Sequence, residues 1–180
     1  MSILVAYASK HGATQGIAER IAETLRAAGQ DAEVRPVKAA GDLAGYEAVV
    51  LGSAAYCWSW LTEATEFVRR NRAVLADRPV WLFSSGPLGT AATDAQGRDL
   101  RVVAEPKEIA ELREAINPRD HRVIFGALDR SKLGFAERVV AKMPASRALL
   151  PEGDFRDWQD LEAWAESIAH ELAQVPASRR

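Results

Sequence analysis

The sequence predicts an α/β protein: a doubly wound three-layer sandwich, with a five-stranded parallel sheet between helices on both faces. Three observations predict it. Short apolar runs alternate with longer amphipathic segments, the pattern of parallel strands joined by crossover helices. The third run, "YEAVVLGSA", is apolar enough to be buried on both faces. The segments after the first, third and fourth runs, "ASKHGAT", "AAYCWSW" and "SSGPLG", are rich in small, hydroxylated or aromatic residues. They fall at the carboxyl ends of the strands, where such sheets hold ligands.

Ile3 to Tyr7 reads as the first strand. The helix after it carries Ile17, Ile21 and Leu25 on one face with Ala18 and Ala22 beside them, and ends at Gly29. Asp31 to Val37 is a second strand, placed at an edge by Pro36 and its alternating charges. Tyr46 to Ala54 is the third, Leu61 to Leu75 a helix, and Arg78 to Ser85 the fourth strand. Residues 86 to 106 hold Gly86, Pro87, Gly89, Gly97 and Pro106 without a clear period and read as a long functional loop. Lys107 to Ile116 is helical, His121 to Ala127 is the fifth strand, and Lys132 to Met143 is helical. In the closing helix, Trp158 to Leu172, Trp158, Leu161, Ala165, Ile168 and Leu172 share one stripe. Right-handed crossovers leave the doubly wound sandwich as the economical arrangement of these elements. Residues 1 to 175 form one domain in this reading, and 176 to 180 a frayed tail.

Composition and charge narrow the function. The 180 residues are 48% hydrophobic and 27% charged, as in a soluble globular domain that builds its core without metals or disulfides. A net charge of −2 argues against a nucleic-acid partner, and mildly against the strongly acidic surface of many small electron carriers. Cys57 is the single cysteine, so no internal disulfide forms, in keeping with a cytoplasmic protein. The N-terminus lacks the pattern of a signal peptide, and no apolar stretch is long enough to span a bilayer.

The strongest chemical signal is the turn after the first strand. A helix N-terminus presents unpaired N–H groups and the positive end of a dipole, which attract phosphate. Ser9 and Thr14 add hydroxyls there, and Gly12 lets the backbone approach an anion. Neither Gly-x-Gly-x-x-Gly nor Gly-x-x-x-x-Gly-Lys-[Ser/Thr] is present, so the residues suggest a phosphomonoester rather than a dinucleotide or nucleoside triphosphate. The same three residues equally suit a capped helix preceded by an ordinary turn.

Ser-x-x-Gly-x-Thr after an apolar first strand, followed by these later loops, resembles the flavodoxin superfamily. That resemblance implies a flavodoxin-like three-layer sandwich of strand order 2-1-3-4-5, with the turn cradling the 5′-phosphate of FMN. It implies phosphate contacts from Ser9, Lys10, His11, Gly12, Ala13 and Thr14, with Gln15 close by. It implies that Ala54, Ala55, Tyr56, Cys57 and Trp58 line the flavin ring, as do Ser85, Gly86, Pro87, Leu88 and Gly89. Flat aromatic cover from Tyr56 and Trp58, and backbone donors from the glycine-bearing loop, suit a flavin. Trp60, which leads into a helix, reads instead as a core aromatic.

"VVLGSAAYCWSWLTEATEFV", "IFGALDRSKLGFAERVVAKM" and "GDFRDWQDLEAWA" more particularly resemble the flavodoxin-like protoporphyrinogen oxidases, which pass electrons to menaquinone or another respiratory acceptor. This subgroup implies a flavin that takes hydride equivalents from a reduced tetrapyrrole. "GPLGTAATDAQGRDLRVVAEP" differs from the corresponding segment of the subgroup. The alternatives are a non-enzymatic carrier that docks to redox proteins, and a reductase using a phosphorylated deazaflavin in the same cleft. The deazaflavin alternative is suggested by an Ala- and Arg-rich, Lys-poor composition resembling that of high-GC actinobacteria.

Between Arg130 and Arg147, Leu133, Ala136, Val139, Val140 and Met143 share a face bracketed by Arg130, Lys132, Arg138, Lys142 and Arg147. Such a helix suits either a peripheral contact with the inner face of a membrane or ordinary packing on the sheet. The side chain of His11 suits phosphate or solvent equally. His121 and His170 have no spacing for a shared metal. Cys57 lacks a base or helix N-terminus to activate it and reads as a small packing residue. Asp129 could reach substrate, although a cap for the next helix is the commoner use of such a residue.

Overall fold

In a computed structural model of the chain, residues 1–134 and 151–174 are described. Their elements, in chain order, begin with β1 (Ser2–Ala8), α1 (Ala13–Ala27), β2 (Asp31–Pro36), β3 (Ala48–Tyr56) and the short β4 (Ser59–Trp60). There follow α2 (Thr62–Arg70), α3 (Arg72–Ala76), β5 (Val80–Ser85), α4 (Leu100–Val103), α5 (Glu108–Ile116) and β6 (Asp120–Ile124). A small antiparallel pair of β7 (Ala127–Leu128) and β8 (Gly153–Asp154) precedes the last helix, α6 (Trp158–Ala173).

The long strands are parallel and lie in the order β2-β1-β3-β5-β6, which is 2-1-3-4-5 when β4 is left out of the count. The flavodoxin-like sandwich and the edge position of the second strand are therefore as the sequence predicts. Residue alternation divides the core. Ile3, Val5, Val50, Trp81 and Phe83 pack against α1 and α6, including Trp164. Leu4, Ala6, Val49, Leu51 and Leu82 pack against α2, α3 and α5. Residues 48 to 54 of β3 are buried without a break, as expected of a central parallel strand. The predicted stripe of α1 is buried in full, and Gly29, at φ 83°, ends the helix through its N–H to the Arg26 carbonyl.

Several predicted boundaries shift, the third strand running Ala48–Tyr56 rather than Tyr46 to Ala54, and four differences have a local reason. Leu61 to Leu75 is two helices because Asn71 donates from its side chain to the Phe67 carbonyl at 2.9 Å and takes a non-helical φ of −107°. The fourth strand begins at Val80, since the guanidinium of Arg78 is turned to the carbonyls of Leu43 and Tyr46. The fifth ends at Ile124 because Gly126 donates to the Pro87 carbonyl at 2.8 Å and leaves the sheet. The predicted helix does not begin at Lys132: residues 130 to 132 form one 3₁₀ turn and Leu133 is extended. The remainder of that helix, most of the basic segment to Arg147, and the tail from 176 to 180 lie outside the described residues. The 86–106 loop is internally tied: Asp94 accepts from the N–H groups of Gln96 and Arg98, both at 2.9 Å, and Asp99 caps α4. Among the described residues, no helix is long and apolar enough to cross a membrane.

Candidate cofactor site

The carboxyl ends of β1, β3 and β5 bring the three predicted segments to one edge of the sheet. In the first, Gly12 stands at the N-cap of α1 with φ 88°, a left-handed conformation that a side chain would strain. Ser9 does not cap the helix directly. Its hydroxyl spans the turn and accepts the Gly12 N–H at 3.0 Å, so the loop is held shut on itself. The first helical bond runs from the Gly16 N–H to the Gly12 carbonyl. Ahead of it, the N–H groups of Ala13, Thr14 and Gln15 are at the open end of α1, as the geometry of a helix start requires. Thr14 is 1% exposed, and its hydroxyl has no hydrogen-bond partner among the described residues. A hydroxyl at the positive end of a helix suits an incoming oxyanion. The Gln15 side chain is directed elsewhere, donating to Glu19 at 2.9 Å.

The second segment is a tight hairpin. Tyr56 pairs with Ser59, and the two residues between them, Cys57 and Trp58, have φ values of 50° and 57°. Positive φ at both central positions is the mark of a type I′ turn, here without the Asn or Gly that usually relieves it. The turn lifts Tyr56 and Trp58 clear of the sheet, 43% and 60% exposed. Tyr56 leans to the turn after β1, with His11 edge-on at 6.4 Å and the Lys10 ammonium 5.7 Å from its ring centroid. Trp58 leans the other way: its indole N–H donates to the Val103 carbonyl at 3.1 Å, and its own carbonyl accepts from the Lys107 N–H. Cys57 is exposed at the tip, which corrects the expectation of a packing residue; the turn geometry carries its side chain off the core.

The third segment starts buried at Ser85, and its backbone runs beside the second. A Cβ on Gly86 would stand 3.3 Å from that of Ala55. Pro87, Leu88 and Gly89 are half-buried beneath a segment that sequence reasoning did not place at the site. Gly126 touches Leu88, and Pro151 approaches Gly89.

That same segment brings unforeseen side chains to the turn after β1. The β7–β8 pair closes a cavity of about 350 Å³ against His11, Gly12 and Ala13, with Lys132, Arg156, Asp129, Glu152 and Asp154 in its wall. Arg156 donates to the Ala13 carbonyl at 3.2 Å, and two hydrogen bonds from its guanidinium to Asp154, at 2.6 and 2.7 Å, hold the Asp154 carboxyl below its ordinary pKa. Lys132 Nζ lies 3.8 Å from the point a Cβ on Gly12 would occupy. The signal available in the sequence was "GALDRSK" and "GDFRDW", whose distance from the first strand concealed the contact. Asp129 performs the capping role, accepting from the Ser131 N–H and hydroxyl at 2.9 and 2.6 Å, which lower its pKa.

Behind the hairpin runs a buried polar chain. Trp60 is core, as expected, and its indole N–H donates to Ser84 Oγ at 2.7 Å. Ser84 meets His121 Nε2 at 2.8 Å, and His121 Nδ1 lies 3.4 Å from Glu105. Burial pushes the His121 pKa below its ordinary value, against the pull of Glu105. Arg113 holds the Glu105 carboxylate with two hydrogen bonds and lowers its pKa. Among the described residues, no group of His, Cys, Asp and Glu is placed to hold a metal.

Comparison with known proteins gives a consistent result. A family model described as Flavodoxin domain matches residues 4–148. The structure is similar to oxidised Flavodoxin 2 from Bacillus cereus, with 20% identity, a TM-score of 0.61, and coverage of 95% of this chain and 99% of that one. A flavodoxin variant from Pseudomonas aeruginosa gives 16% identity and a TM-score of 0.60, over 96% and 99% of the two chains. The rubredoxin oxygen:oxidoreductase of Desulfovibrio gigas gives 15% and 0.60 over 96% of this chain. This chain spans about a third of that enzyme, 36% of its length. Likeness at these identities concerns the fold.

Proposed function

The chain belongs to the Flavodoxin domain family, and from that premise we propose that it binds FMN at the edge formed by β1, β3 and β5 and acts in electron transfer. The observation that carries the reading is the open N-terminus of α1. There Thr14, 1% exposed, and the N–H groups of Ala13 to Gln15 would meet a phosphate, beside a turn that presents Tyr56. Bound FMN would supply reversible one- and two-electron chemistry that no side chain of the site offers. The protein's part is to hold and tune it. Ser9 and Gly12 fix the phosphate turn, Tyr56 and Trp58 offer flat apolar surface, and the backbone from Ser85 to Gly89 supplies polar groups at the far end.

The finer reading is an oxidoreductase that removes electrons and protons from a reduced tetrapyrrole and delivers them to a quinone. It rests on the resemblance of "IFGALDRSKLGFAERVVAKM" and of the hairpin and α6 sequence to the protoporphyrinogen oxidases. A peripheral membrane contact through Arg130 to Arg147 would serve a lipid-soluble acceptor. An electron carrier is the other form of the same proposal.

Absorption spectra of the purified protein titrated with FMN, and separately with a phosphorylated deazaflavin, test the cofactor. Saturable binding of FMN is expected; binding of the deazaflavin alone would replace FMN in the proposal, and binding of neither would end it. Thr14→Val then tests the phosphate: the dissociation constant for FMN should rise about fivefold while that for riboflavin stays unchanged. Oxidation of protoporphyrinogen by the FMN-loaded protein with menadione distinguishes enzyme from carrier.

A further inference from the structure

We infer that His121 is a positioning residue of the cofactor site: in its neutral form it fastens the hairpin that carries Tyr56 and Trp58, and a second proton on its ring releases that hairpin. The inference rests on the FMN reading and adds a regulation to it. The direction of every bond behind the hairpin is set by Arg113. Its two hydrogen bonds hold Glu105 as a carboxylate, which has no proton to give and lies 3.4 Å from His121 Nδ1. Nδ1 therefore carries the ring proton, and Nε2 is left as an acceptor. The Ser84 hydroxyl, 2.8 Å from Nε2, donates to it and keeps its lone pairs for the Trp60 indole N–H at 2.7 Å. Ser84 is fully buried, so this order of Ser, His and Glu is a support and not a nucleophile with its base.

The hairpin is tied to this chain at two places. Trp60, in its second strand, holds Ser84 by the indole and donates its backbone N–H to Glu108 at 3.2 Å. Trp58, in its turn, is bonded to Val103 and Lys107, one on each side of Glu105. A second ring proton makes Nε2 a donor. Ser84 Oγ then faces two N–H groups, and its own proton loses its acceptor in a fully buried place. The charged groups around the ring are Glu105 from the end of the 86–106 loop, Arg113 from α5 and Asp120 from β6 itself. Asp120 is engaged by Arg122 and the Trp164 indole, while β4 and β5 present the uncharged Trp60 and Ser84. Attraction to Glu105 thus draws the imidazolium off Ser84. Burial keeps the ring neutral at neutral pH, so the release belongs to acid conditions.

The experiment follows the NMR signals of the His121 ring and of the Trp58 and Trp60 indole N–H groups in the full chain from about pH 7.5 to 5, with circular dichroism as the check on folding. Both indole signals should move with the midpoint of the His121 ring. In His121→Gln, whose amide oxygen offers Ser84 an acceptor that does not titrate, they should stay in place throughout. FMN is titrated by fluorescence over the same range; its phosphate titrates near pH 6 alike in parent and variant and cancels in their ratio. Relative to His121→Gln, the parent's dissociation constant for FMN should rise about fivefold between the two ends of the range. Indole signals that stay in place while His121 titrates, signals that move equally in the variant, a ring that remains neutral until the chain unfolds, or a flat affinity ratio would each overturn the inference. If the variant fails to fold, coincidence of the ring and indole titrations in the parent decides it. If FMN does not bind at any pH, the FMN reading falls, and indole signals that follow His121 still show that it fastens the hairpin.

Discussion

Arg156 reaches across the sheet edge to donate to the Ala13 carbonyl at 3.2 Å, while its guanidinium stacks 4.3 Å from the Trp158 ring centroid. The contact joins the approach to the last helix to the first turn of α1, 143 residues earlier. It also explains Gly16. A Cβ there would stand 2.7 Å from Arg156 Nη1, so the glycine leaves room for the guanidinium to lie along the helix.

Gly16→Ala thus sets two effects against each other. Helix propensity favours alanine by up to about 1 kcal/mol, and the flexible end of Arg156 can give way. The urea midpoint should accordingly stay the same or rise. Displacing the guanidinium loosens its hold on the Ala13 carbonyl, and the dissociation constant for FMN should rise a few fold. Higher stability with unaltered FMN affinity would show that Arg156 has no part in shaping the turn.

The hairpin tip stores strain that can be removed. Cys57 and Trp58 hold left-handed backbone, at about 1 kcal/mol or more for each residue with a Cβ. Asn is suited to the first position of a type I′ turn. Cys57→Asn should stabilise the protein by about 0.5 to 1 kcal/mol in urea unfolding. A loss of stability would mean that the thiol makes a contribution its exposure does not suggest.

How much of this was legible in the sequence follows from the range of the interactions. The strand order, the α1 stripe and the core role of Trp60 depend on periodicity and local chemistry, which the sequence displays directly. The turn from Ser9 to Thr14 was visible as a polar cluster, but its internal bonding needed three dimensions: Ser9 Oγ accepts the Gly12 N–H rather than capping the helix. Lys132 and Arg156 were hidden because the chain leaves the sheet at Gly126 to satisfy the Pro87 carbonyl, and only then folds over Gly12. The break at Asn71 depended on a side chain competing for one carbonyl, which apolar periodicity does not register.

His121 gives the protein an acid-sensitive core. Its side chain is 1% exposed, and burial lowers its pKa from the ordinary 6.5. The folded chain therefore binds fewer protons at this site than the unfolded chain once the pH falls below about 6.5. Stability is full above that value and declines as pH drops towards the folded-state pKa, by about 1.4 kcal/mol for each unit of depression. Urea unfolding from pH 7.5 to 5.5 should show this decline, and His121→Gln should remove most of the slope in that window despite lowering stability throughout. Arg113 holds the Glu105 carboxylate below its ordinary 4.5, so its contribution is present above that pH and lost as pH falls below it. An unchanged slope in the variant would place the titration elsewhere.

Gly52 and Phe83 are register partners on β3 and β5, and the ring occupies the space a side chain on Gly52 would need. A Cβ built there stands 2.0 to 2.2 Å from three ring atoms. Phe83 is fully buried and meets the Trp164 ring edge-on at 6.5 Å, so it has little freedom to withdraw. Gly52→Ala should destabilise the protein by about 3 kcal/mol, at the upper end of overpacking. Phe83→Leu alone should cost about 1 to 2 kcal/mol through lost contacts and a small void. Combined, the two changes should cost less than their sum, because the shorter side chain vacates the space that the new methyl requires. Urea denaturation of the four proteins in this cycle measures the coupling. Additive losses would show that the barrier to a side chain at position 52 lies in the strand backbone rather than in the ring laid over it.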